Sequence, residues 1–174
     1  MTDLSLHPDL LAAKSLIYGP HELACTTPMR EPESAAYGAY ALSINGLATR
    51  FRVAKTTPTK VGQFVTLWQR GEAGPIRPFD TSDNVKLFVI SVRDHEQFGQ
   101  FVFPVDTLVR RGVVSRDGVG GKRAIRVYPP WVAPTSRQAR NTQTWQLEYF
   151  LPPHQIDECD CARARTLFAK QLAP

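Results

Sequence analysis

Lys55-Thr56-Thr57-Pro58-Thr59-Lys60 places two lysines and three threonine hydroxyls within six residues. Ammonium groups and hydroxyls at that density can hold an oxyanion through charge-assisted hydrogen bonds. The competing reading is a polar turn fixed by Pro58. A second basic group follows the glycines of Gly118-Val119-Gly120-Gly121, where Lys122, Arg123 and Arg126 precede Tyr128 and Trp131. Cations that track a phosphate backbone beside aromatic faces are the chemistry of nucleic-acid binding, in which each stacked base contributes about 1–3 kcal/mol. The glycines lack the Gly-x-x-x-x-Gly-Lys-Ser/Thr spacing of a phosphate loop, so the segment reads as a hairpin with a basic exit.

Phosphodiester cleavage with magnesium or manganese needs carboxylates to hold the ion and a lysine near the transition state. Glu33 and Asp83, supported by Lys55 or Lys60, are the residues for that role. The segment Gln100-Phe101-Val102 supplies neither the acid nor the lysine of a Glu-x-Lys strand. Asp83 also suits a turn that enters a strand. His154, Cys159 and Cys161 cluster near the C-terminus without the Cys-x2-Cys spacing of a zinc site. No Gly-x-Ser-x-Gly nucleophile elbow occurs. The sequence thus calls for no resident cofactor or metal, apart from magnesium or manganese in the nuclease alternative.

Both basic groups lie in segments nearly free of acids. Residues 34–71 contain no Asp or Glu, and residues 107–147 contain Asp117 alone against eight Arg and Lys. With a net charge of +5 and a pI near 9.3, the chain should attract phosphates. No apolar run reaches the length of a membrane span, and the N-terminus has no signal-peptide pattern. A cytoplasmic protein with reduced cysteines and no membrane partner is expected. No protein partner is indicated.

These groups must be positioned by an α+β domain with a mixed or antiparallel central β-sheet flanked by helices. The 174 residues suit a single domain. Its parts are an N-terminal helix and loop over 1–32, a core over 33–151, and a C-terminal helical extension over 152–174. Apolar spacing predicts a helix over Asp9–Ile17, and Thr26–Pro32 reads as a loop. Tyr40–Ile44, the Asn45-Gly46 turn, Thr49–Lys55 and Gly62–Trp68 read as an antiparallel meander. Val85–Val92 is apolar at nearly every position, as a strand buried on both faces would be, and Gln100–Phe103 should pair beside it. A short helix over Pro104–Gly112, strands at Val113–Ser115 and Ala124–Tyr128, and helices over Ser136–Phe150 and Cys161–Leu172 complete the order.

The blocks Phe51–Trp68, Gly99–Pro104, Gly121–Trp131 and Gln143–Gln146 together resemble the MepB-like family over Glu33–Leu151. The resemblance implies a fold similar to restriction-endonuclease-like proteins of the PD-(D/E)XK type, and nucleic-acid binding. Lys55, Lys60, Gln63, Lys122, Arg126 and Gln143 are the polar positions it carries over as site residues.

The sequence therefore reads first as a binding module for DNA or RNA, with Lys55, Lys60, Gln63, Lys122, Arg123, Arg126, Tyr128, Trp131 and Gln143 forming a basic cleft. A metal-dependent nuclease is the first alternative. The second is a nucleotide or small-anion pocket, with Tyr128 and Trp131 stacking on a planar ring.

Overall fold

The computed structural model describes residues 6–153 and 158–169. Helix α1 (Pro8–Ala13) opens on a proline at its first position, where the missing N–H costs nothing. It widens into a π-helical turn over Lys14–Tyr18 before Gly19. After the two-residue strand β1 (Met29–Arg30), β2 (Tyr40–Ile44) and β3 (Leu47–Val53) form a hairpin. Its turn residues Asn45 and Gly46 both have positive φ, 52° and 75°, as the twist of a two-residue hairpin requires.

Short strands follow: β4 (Lys55–Thr56), β5 (Gln63–Thr66), β6 (Trp68–Arg70) and β7 (Ile76–Pro78). The long hairpin of β8 (Leu87–Asp94) and β9 (Gln97–Pro104) leads into α2 (Val105–Arg110). Strand β10 (Ala124–Val127), helix α3 (Arg137–Leu147), strand β11 (Phe150–Leu151) and helix α4 (Glu158–Leu167) complete the described chain.

Among the described residues the main sheet has the order β1-β2-β3-β8-β9-β11, and only its β3–β8 pairing is parallel. Period-two alternation divides its side chains between two cores. Phe51, Leu87, Val89 and Val102 pack under α1 and α4 with Leu10, Ile17 and Phe168. Phe88, Ile90, Val92, Phe101 and Phe103 face the other way, against Val65 of β5, Val127 of β10 and Leu108 of α2. Burial on both faces explains the unbroken apolar run of β8. Each fully buried Val, Leu, Ile or Phe contributes about 1.5–3 kcal/mol.

The meander is corrected. β5 does not follow β3 in the main sheet; it pairs with β4 and β10 in a separate three-stranded sheet. The place beside β3 goes to β8, because a strand apolar on both faces belongs inside the main sheet, whereas β5 alternates buried and half-buried positions. Val113–Ser115 is no strand either. The Val113 and Val114 amides both donate to Leu108 O, closing the end of α2, and their side chains enter the second core. The loop over 26–32 contains β1. The final helix starts at Glu158 and ends at Leu167; the remainder of the expected span, from residue 170, lies outside the described residues.

Candidate nucleic-acid interface

On the sheet of β4, β5 and β10, Lys55 and Arg126 both stand directly opposite Phe64, so the three side chains share one face. The Arg126 guanidinium lies 5.9 Å from the Phe64 ring centre. Its Nη1 donates to Thr57 Oγ1 (3.0 Å) and Gly62 O (3.2 Å), tying the threonine-rich turn to β10. Lys55 Nζ rests 4.7 Å from the centre of the Tyr37 ring. Gly62 is required here: its φ is +82°, and a Cβ would come within 2.7 Å of the Tyr128 ring.

Beside this face runs an open groove of about 650 Å³. Lys60, Phe64, Lys122, Arg126 and Tyr128 line one wall. The other is formed by Arg111, just past the end of α2, and by α3 along its length, through its cap Ser136 and through Gln138, Thr142 and Trp145. Ser136 caps that helix, its Oγ accepting from Ala139 N (3.1 Å). The N-terminus of the helix, the positive end of its dipole, thus lies within the groove lining. Gln146 locks the walls together: its Nε2 donates to Arg126 O (3.0 Å) and its Oε1 accepts from Tyr128 N (2.9 Å).

No Asp or Glu lines this groove. None of Lys60, Arg111, Lys122 and Arg126 forms an ion pair among the described residues. No carboxylate among the described residues neutralises their four charges.

The other residues named from the sequence lie elsewhere. Gln63 is buried on the opposite face of β5, its Nε2 donating to Arg93 O (2.7 Å). Gln143 Nε2 donates to Pro129 O and Val132 O, holding the loop after β10. Trp131 packs edge-on against Phe150, 6.0 Å between ring centres. Arg123 is exposed, and its carbonyl accepts from Leu67 N. Sequence reading overlooked Phe64, Arg111 and Trp145 as groove residues. A signal existed for the last: Gln138, Thr142 and Trp145 recur at i, i+4 and i+7, which is one helix face. Arg111 stands 4.8 Å from the Trp145 ring centre.

The acids are engaged by arginines. Glu33 Oε1 accepts from Arg70 Nε (2.9 Å), and Asp83 accepts from both terminal nitrogens of Arg77 (2.8 and 3.1 Å) and from Asp80 N (2.7 Å). Burial is the largest influence on Asp83 and raises its pKa, but Arg77 and the Asp80 amide together outweigh it and leave the carboxyl below its usual value. Gln100 is fully buried in the helix-side core, where its Oε1 accepts from Tyr18 OH (2.9 Å). Among the described residues no three His, Cys, Asp or Glu side chains gather to hold a metal ion. Cys159 and Cys161 are free thiols on α4, and His154 lies outside the described residues. No described helix is long and apolar enough to cross a membrane.

The MepB-like family matches residues 31–152. The crystal structure of MepB superposes with a TM-score of 0.73 at 31% identity, covering 87% of this chain and 99% of that one. The structure of a bacterial homing endonuclease aligns with a TM-score of 0.50 at 14% identity, covering 84% of this chain and 91% of the other. At that identity the likeness is one of fold. No match was found among the curated proteins compared.

Proposed function

Since the chain belongs to the MepB-like family and has an α+β fold of the restriction-endonuclease-like kind, we propose that it binds nucleic acid by its phosphate backbone along the groove between β10 and α3. The observation that carries this reading is the convergence of four cations without ion-pair partners on a groove with no acid in its lining. Phosphates that displace counterions there gain affinity without regard to base identity.

Fold likeness to an endonuclease does not carry cleavage with it. Glu33 and Asp83 each face an arginine of this chain, so binding without cleavage by those acids is the better-supported reading.

The test is fluorescence anisotropy with a labelled oligonucleotide. Lys60→Ala combined with Lys122→Ala should weaken binding by about tenfold or more. Arg70→Ala, which removes a cation outside the groove, should leave it near wild type. Equal affinities for all three proteins overturn the assignment. The same oligonucleotide, incubated with magnesium or manganese, should stay intact; cleavage abolished by Asp83→Ala would restore the nuclease reading.

A further inference from the structure

Beside the groove stands a small structure that backbone binding does not use. Arg116 and Val119 exchange both backbone hydrogen bonds (3.1 and 2.9 Å), enclosing Asp117 and Gly118 at φ 52° and 78°. That is a two-residue β-hairpin with the positive-φ pair it demands. It is fixed from beneath by Asp80, a buried carboxylate accepting from Gly118 N (2.9 Å) and Ser115 Oγ (2.6 Å). On the far side Gly121, at φ +87°, presses so closely on Pro78 that a Cβ there would meet it at 2.7 Å. Lys122 N then donates to Val113 O (2.8 Å) and enters the groove wall.

This braced hairpin presents Val119 at 77% exposure. Covering that side chain would remove its apolar surface from water, a gain of about 1 kcal/mol or more. Around it Arg116, Lys122 and Arg123 are exposed and without ion pairs among the described residues, against two carboxylates, the exposed Asp117 and the buried Asp80 beneath the turn. A partner that is anionic and also offers an apolar group would answer both features.

We propose that the Arg116–Val119 hairpin enters the major groove of B-form DNA, with Val119 against thymine methyl groups and the flanking cations on the phosphates at the groove edges. The major groove admits a two-stranded ribbon and displays the thymine 5-methyl there. The deep, narrow major groove of an RNA duplex does not admit such a reader. This inference rests on the nucleic-acid reading of the neighbouring groove and narrows it to duplex DNA.

The test compares affinities for a pool of random-sequence DNA duplexes, the same pool with uracil in place of thymine, an RNA duplex and a single strand. Wild type should prefer thymine over uracil duplexes by about fourfold, the equivalent of one buried methylene. Val119→Ala should erase that preference. Val119→Asn, which removes the apolar contact without adding a charge, should lose about fourfold on thymine duplexes while single-strand affinity and thermal unfolding stay unchanged. Equal binding of thymine and uracil duplexes by wild type, or an unchanged thymine-duplex affinity in Val119→Asn, overturns the hairpin's role. If Lys60→Ala with Lys122→Ala still weakens every substrate, the groove reading survives that failure. If wild type binds none of the four, both readings fall.

Discussion

Two sets of cations in this molecule have opposite surroundings. Arg52, buried to 1% exposure, is ion-paired with Glu31, which also lies 3.5 Å from Arg50 Nε. Burial pulls the Arg52 pKa down and Glu31 holds it up. Arg70 meets Glu33, Arg77 meets Asp83, and Arg93 meets Asp9 at 2.7 Å. Lys60, Arg111, Lys122 and Arg126, by contrast, share a groove with no acid in its lining. Arginines of the first set are paired with carboxylates inside the fold; cations of the second have no carboxylate partner among the described residues.

Exchanging the roles of the two sets should expose the difference. The largest effect expected is on the fold: Arg52→Met leaves Glu31 without its main partner in a mostly buried site. It should lower stability by about 3 kcal/mol in urea unfolding, with the affinity of the folded fraction unchanged. Lys60→Glu with Lys122→Glu should do the reverse, weakening nucleic-acid binding by about 2–3 kcal/mol in anisotropy titrations while stability moves by less than about 0.5 kcal/mol.

Gly62→Ala lies between the two classes. Strain at positive φ and the clash with Tyr128 should cost about 1–2 kcal/mol of stability, and displacing Tyr128 should weaken binding a few-fold.

The smallest effect belongs to acid pH. Four hydrogen bonds, led by the one from Ser115, hold Asp80 below the usual carboxylate range, and Asp83 is also lowered. Their contribution is complete above the unfolded carboxylate pKa of about 4 and is lost as pH falls through the lower folded values. Urea midpoints should fall on acidification below that pH, less steeply in Asp80→Asn than in wild type.

Much of the fold was legible in the sequence because local signals and burial agree. Asn45-Gly46 marked its turn, Pro104 and Gly112 bracketed α2, Ser136 capped α3, and the run of β8 announced a strand buried on both faces. The parallel neighbour of β3 was hidden, because a crossover leaves no local mark.

The site was legible only in part, for a related reason. Arg50, Arg52 and Arg70 stand in a stretch without acids, but the fold returns Glu31 and Glu33, from just outside that stretch, to meet them. Absence of acids along the chain is not absence in space. Lys60, Lys122, Arg126 and Tyr128 do line one groove, whereas Gln63 and Gln143 are polar groups turned to backbone carbonyls, which composition cannot distinguish from ligand contacts.

The salt dependence of duplex affinity tests the central claim most directly. Four phosphates neutralised by the groove cations give a log–log slope of about −3.6, and Lys122→Ala should make it shallower by about one. Affinity indifferent to salt, or a slope that Lys122→Ala leaves unchanged, would contradict the assignment of the groove to a phosphate backbone.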